Sequence, residues 1–420
     1  MTFFKTSSIY ISSNIINAVI PFILLPVLTR YLSQVEYGQI AMFQLLVAAL
    51  TAVAGMGVVG ASSRKYYDKD VTFLNLQDFN GACFHVLLIS TLIISPFILY
   101  FSDEISRLLA IPKDWILTAL MMASLSFIVQ IRLGQWQIRN QASRYAVLQF
   151  IRSLANIILS LLFVITFNFG ADGRIEAQLI TALLIGGTSL YLLRKDDLVS
   201  FFSFKPLFIR EALNFGIPLM PHIIGIFLLS SADRYIINSR LGLESAAIYM
   251  VSYQLSSALG IVFDAINKAY TPWLFALLKE NLIEAKLKVI KATYLYMLFL
   301  LLLALLSFVI GPFIVVFIAG DTYSQAGSII GYLCAGHIFN GMYLMVTNYI
   351  FYSKKTKYLS LVTITSSVIS IILMLLLIQY NGLVGVAQAF AISQFARFLF
   401  TWLLSAKVHP MPWFIWKNRL

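Results

Sequence analysis

Apolar runs of about twenty residues, separated by short polar or charged breaks, recur along the whole chain, and twenty residues is what a helix needs to cross a hydrocarbon core about 30 Å thick. Twelve such runs can be drawn, at residues 8–29, 38–62, 80–101, 114–133, 146–168, 176–193, 212–232, 245–267, 290–318, 326–351, 358–379 and 384–406. An even number of crossings puts both termini on one side. The first run contains Pro21 and Pro26 and has no small-residue cleavage site, so it reads as a retained membrane helix. Composition agrees with the pattern: 60% of the 420 residues are hydrophobic, 11% are charged, and the mean hydropathy is +0.85. Soluble domains run near 45–50% and about 25%. The fold class expected is an all-α membrane protein.

The net charge of +12 could point to nucleic acid, anionic lipid or an anionic substrate, and the placement of the charges decides. Twenty-two lysines and arginines fall on the side that holds the termini, and six fall opposite: Arg30, Arg107, Lys113, Arg174, Arg234 and Arg240. Such a bias makes the termini cytoplasmic and accounts for most of the excess charge as topology, with no nucleic-acid partner. The longest connections, 194–211 and 268–289, are both on that inner side. In the second, Trp273, Leu274, Phe275, Leu277, Leu278, Leu282 and Ile283 oppose Lys279, Glu280, Glu284, Lys286 and Lys288, which predicts a short amphipathic helix on the inner leaflet with Pro272 in its first turn.

Shifting the sequence by 210 residues places Arg30 on Arg240, Gln44 on Gln254, Leu45 on Leu255 and Ala48 on Ala258. Prolines break the opening run of each half, Pro21 and Pro26 in one, Pro218 and Pro221 in the other. These features predict two six-helix bundles, residues 1–200 and 201–420, around a central cavity.

Several chemistries lack support. Gly55-Met56-Gly57-Val58-Val59-Gly60 matches a dinucleotide fingerprint but follows no strand, and reads as small residues for close helix packing. No phosphate loop occurs, the four histidines are scattered, and Cys83 and Cys334 lie in apolar runs without metal-site spacing, so no cofactor and no metal are expected. A polymerase or ligase of surface sugars calls for a sizeable outer loop with catalytic residues, and none exceeds about 15 residues. An enzyme is therefore not expected.

Ionisable groups inside a bilayer cost roughly 2.5–3.5 kcal/mol each on insertion scales, so they face cavities or partners. Arg152 and Arg397 fall within runs, roughly 9–14 Å deep from the inner ends at 1.5 Å per residue. Arg152 either meets an anion in a cavity or snorkels to the headgroups; Arg397, the deeper, favours the cavity. Asp264 and Lys268 are spaced to pair, Asp233 and Arg234 form a charged step near the outer end of the seventh run, and Asn14 and Asn17 share a face of the first with Pro21. Gln149, Arg152 and Asn156 stripe the fifth run. Cation-coupled drug exporters need a deep carboxylate, and the first run has none. Deep arginines suit phosphate, because a guanidinium stays charged and offers forked donors.

The stretch PFILLPVLTRYLSQVEYGQIA (Pro21 to Ala41) resembles the opening of the polysaccharide-exporter branch of the multidrug/oligosaccharidyl-lipid/polysaccharide superfamily, the Wzx-type O-antigen flippases. Residues Phe215 to Ser257, with Asp233-Arg234-Tyr235, and the link Ala269 to Leu274 are similar to later parts of the same family. The resemblance implies a flippase that carries an undecaprenyl-diphosphate-linked oligosaccharide, an O-antigen or similar surface-polysaccharide unit, across the bacterial inner membrane by alternating access. It implies as partners the lipid-linked oligosaccharide, membrane lipid and other polysaccharide-assembly membrane proteins. Of the cavity arginines of related lipid II flippases only Arg30 could correspond, which disfavours the peptidoglycan precursor. A cation-coupled small-molecule exporter and a membrane polymerase remain as alternatives.

Cysteine-accessibility labelling tests the topology: a cysteine in the Asp321–Gln325 loop reacts with an impermeant reagent from outside, and one in the 194–211 connection only after the inner face is opened. The reverse pattern overturns the orientation.

Overall fold

The computed structural model describes residues 19–68, 72–280, 282–353, 355 and 357–413. Asn14 and Asn17 lie outside the described residues. Helices make up nearly all of the rest and no strand occurs among the described residues. In order they are α1 (Val19–Tyr31), α2 (Gln34–Val53), α3 (Val58–Lys65), α4 (Phe73–Tyr100), α5 (Ser102–Leu109), α6 (Asp114–Ile138) and α7 (Ala142–Leu161), the last extended by a π turn at Leu162–Thr166. They continue with α8 (Gly170–Lys195), α9 (Pro206–Glu280), α10 (Ile283–Ala319), α11 (Gly327–Tyr352) and α12 (Lys357–Val408). Nine helices among the described residues are long and apolar enough to cross a membrane, so the chain is a multi-pass membrane protein.

The two longest helices each contain a break that only glycine allows. Gly242 in α9 has φ 83° and ψ 178°, and Gly382 in α12 has φ 53° and ψ −131°. Nothing lies within 4 Å of a Cβ built on either, so the backbone conformation and not crowding requires glycine there. A third break corrects the expectation of one continuous span over 38–62: Gly55, Met56 and Gly57 all have positive φ and separate α2 from α3. Close packing also operates at this turn, since a Cβ on Gly55 would lie 2.3 Å from the Phe127 ring.

Contacts divide the chain into two compact units, Met1–Ala247 and Ile248–Leu420. In the first, α2 opens with a capping box, Ser33 and Glu36 each satisfying the other's backbone N–H. The second oxygen of Glu36 accepts the Ala171 N–H at 3.2 Å and so ties α2 to the start of α8. Buried Asn80 on α4 accepts from Ser62 Oγ (2.7 Å) and donates to the Leu198 carbonyl (2.8 Å), while Gln135 on α6 donates to Ser62 Oγ (2.9 Å). Polar contacts of this kind hold membrane helices together, because lipid supplies no hydrophobic drive between them. The first arm of α9 docks on the same unit: Lys65 pairs with Glu211 at 2.7 Å and its ammonium lies over the rings of Phe79 and Phe208.

The second unit is built on α10, α11, α12 and the later part of α9. Phe263, Met297, Leu300, Ile338, Met342, Val346 and Phe398 form its core. Here the structure corrects the amphipathic helix expected on the inner leaflet. Residues 269–280 continue α9 without a break, Pro272 sits inside the helix, and Leu274 and Leu278 are buried against Val289, Ile290, Tyr349 and Met411. The apolar stripe has the helical period either way, and period alone does not say whether lipid or protein covers it.

Arg132, near the end of α6, is fully buried: its Nη2 donates to Asp196 just past α8, and its guanidinium lies 4.1 Å from the Trp136 ring centre. Removing the carboxylate strands a buried charge. Asp196→Asn is expected to destabilise the protein by about 2 kcal/mol, below the 3–5 of a fully buried pair because Asp196 is about 31% exposed. Arg132→Met with Asp196→Asn recovers most of the loss in a thermal unfolding measurement in detergent.

Candidate functional site

Four helices of the first unit, α2, α6, α7 and α8, line a half-open cavity of about 300 Å³. Its polar lining comprises Gln44 from α2, Ser126 from α6, Arg152 and Asn156 from α7, and Gln178 and Thr181 from α8. No carboxylate lines it. Arg152 stands ten residues after Ala142, where α7 begins, so it is about 15 Å along the helix axis from that end. Arg152 and Asn156 are one turn apart and share the cavity face.

The cavity sets one positive charge among neutral polar side chains. Arg152 has no ion-pair partner among the described residues and is accessible rather than packed in. Ser126 accepts from Gln130 Nε2 at 3.2 Å, which leaves its own hydroxyl proton available. Thr181 gives its proton to the Ala177 carbonyl at 2.7 Å. Behind Asn156 lies Arg174, 7% exposed, whose Nη1 donates to Asn156 Oδ1 at 2.7 Å and also to Ser160 Oγ.

The other residues singled out from sequence are dispersed. Arg397, in the second unit, lies over the Tyr343 ring at 3.9 Å to its centre, and its Nη1 reaches Asn340 Oδ1 at 3.5 Å. Asp264 and Lys268 pair with each other at 2.6 Å, so that carboxylate is taken. Asp233 is buried and its Oδ1 accepts the backbone N–H of Arg234 at 2.8 Å; Arg234 is half-buried. Arg30 is exposed and donates to the Pro26 carbonyl at 3.3 Å, the position of a helix-end cation.

Sequence reasoning did not single out Gln44, Ser126, Gln178 or Thr181 for the cavity, and it counted Arg174 among outer-loop cations. Polar residues at 170–176 depress the local hydropathy, so the apolar run begins at 176, whereas α8 begins at Gly170 and carries Arg174 inside. The run of Asp172, Arg174 and Glu176 next to an apolar stretch looks like a loop to any hydropathy window. A signal was present in the matched polar faces of the fifth and sixth runs, which pair only once the helices are known to be neighbours.

A sequence profile of the family described as polysaccharide biosynthesis protein matches residues 3–278. Protein 1 of the Lsg locus of Haemophilus influenzae is 27% identical over 405 residues, covering 92% of this chain and 95% of that protein. An uncharacterized membrane protein of the same organism is 26% identical over 377 residues, covering 88% and 89%. Among solved structures, a multidrug resistance MATE family transporter of the MOP superfamily in an inward-facing conformation superposes with a TM-score of 0.66 at 18% identity, covering 94% of this chain and 93% of that one. A Vibrio cholerae MATE transporter in its bent form gives 0.52 at 16%, covering 96% and 97%. At these identities the likeness is one of fold.

Proposed function

The chain belongs to the polysaccharide biosynthesis protein family, and from that membership we propose that it is a flippase: it moves an undecaprenyl-diphosphate-linked oligosaccharide from the cytoplasmic to the periplasmic face of the bacterial inner membrane by alternating access, without enzymatic turnover. The observation that carries the reading is the cavity in the first unit. It sets a guanidinium that has no ion-pair partner among the described residues beside neutral polar side chains, with no carboxylate on its wall. A diphosphate that crosses the bilayer needs such a place, because an arginine there replaces part of the hydration the phosphate loses. Arg397, which stacks on Tyr343 and has no carboxylate partner among the described residues, gives the second unit a cation of its own.

The reading includes twelve crossings with cytoplasmic termini. Dividing α12 at Gly382, and adding α1 and the arm of α9 before Gly242 to the nine long apolar helices, supports that number. The two six-helix halves would then meet near residue 200. Fold likeness to MATE transporters supports the architecture, and family membership favours a saccharide cargo over a drug.

Deleting the gene in its host is expected to leave lipid-linked single repeat units at the cytoplasmic face. Complementation with Arg152→Lys, which keeps charge and loses the fork, restores part of the surface polysaccharide, and Arg152→Gln lowers transport roughly tenfold or more. Repeat units that reach the periplasm unpolymerised in the deletion strain would point to a polymerase. Normal polysaccharide with altered drug tolerance would point to a small-molecule exporter.

A further inference from the structure

We propose that Arg174 is a positioning residue that turns the Asn156 amide so that its NH₂ group, together with the Arg152 guanidinium, faces the cavity and reads an oxyanion of the diphosphate class. The proposal rests on the headgroup reading above and adds to it the device that sets the sign of the wall.

A guanidinium has donors and no acceptor, and a primary amide has one oxygen and one NH₂. Arg174 Nη1 sits 2.7 Å from one end of the Asn156 amide, so that end is the oxygen. The NH₂ is thereby turned away from Arg174, and Asn156 is a cavity-lining residue one helical turn from Arg152. Ser160 reinforces the arrangement: it accepts from Arg174 and passes its own proton to the Asn156 backbone carbonyl at 2.5 Å. Ser160 Oγ also lies 3.3 Å from Asn156 Oδ1, so the amide oxygen is the end that faces both Arg174 and Ser160.

Burial of Arg174 makes sense on this basis. It is 7% exposed within α8, and no carboxylate pairs with it among the described residues. A cation held so far from water without an anion is an expensive way to join two helices, for which a neutral side chain would serve. What a neutral side chain cannot do is forbid the amide its other orientation. A glutamine at 174 could accept as readily as donate, leaving Asn156 free to present its carbonyl to the cavity, where it would repel phosphate oxygens.

The test is calorimetric titration of the purified full chain in detergent with farnesyl diphosphate and, separately, with inorganic pyrophosphate. Arg174→Gln is expected to weaken farnesyl diphosphate binding about tenfold, the size of one charge-assisted contact. The same substitution should have no further effect in an Asn156→Ala background, since Arg174 acts through that amide. Asn156→Asp provides an independent arm: the carboxylate strengthens the pairing with Arg174 and keeps the fold, yet places an anion on the wall, so thermal stability holds while binding is lost. Equal losses from Arg174→Gln in both backgrounds, or Asn156→Asp binding like the parent, would overturn the positioning role. If the parent binds neither probe, or Arg152→Gln binds as the parent does, the headgroup reading fails with it. If binding depends on Arg152 and is indifferent to Arg174, the positioning role alone fails. Pyrophosphate binding as tight as that of farnesyl diphosphate would assign the site to a free anion rather than a lipid headgroup and leave the role of Arg174 standing.

Discussion

A guanidinium inside hydrocarbon has to be paired, stacked, hydrogen-bonded or given a cavity, and Arg132, Arg174, Arg397 and Arg152 divide along those lines. Arg132 has a carboxylate and an indole ring. Arg174 has an amide oxygen and a hydroxyl, and Arg397 has a phenol ring and a distant amide. Arg152 has a cavity. The first two solutions are structural, since they leave the charge enclosed by protein. The last leaves the charge accessible and without an anion, and it is the one that asks for a ligand.

Much of the architecture follows from keeping backbone groups satisfied in lipid. Helices continue well beyond their apolar cores, as α10 does from Ile283, and the breaks within α9 and α12 are made by single glycines. Breaking a helix at one residue leaves few backbone groups without partners. The same economy places Glu36 at four hydrogen bonds at once, capping its own helix and anchoring the start of α8.

The existence of the spans was legible in the sequence, because an apolar run of twenty residues in a chain this hydrophobic is suited to a bilayer and to little else. Their ends were not legible, since a helix does not stop where hydropathy falls: Gly170 to Ile175 is polar and helical, and this concealed Arg174. The turn at Gly55–Gly57 was hidden for the opposite reason, as its apolar surroundings read straight through a break that only backbone angles reveal. Within the site, Arg152 and Asn156 were visible as a polar stripe at helical spacing. Gln44, Ser126 and Gln178 come from other helices, and which faces of those helices meet is a property of packing that no single run encodes. Arg132 and Asp196, 64 positions apart, likewise carried no local sign of pairing.

A structure of the chain with a prenyl-diphosphate glycolipid bound would test the central claim most directly, because the phosphorus positions are its strongest features. The account predicts both phosphates within hydrogen-bonding reach of the Arg152 guanidinium and the Asn156 amide nitrogen in at least one conformation. Phosphates confined to headgroup depth in every conformation, with the first-unit cavity holding only water, would contradict it.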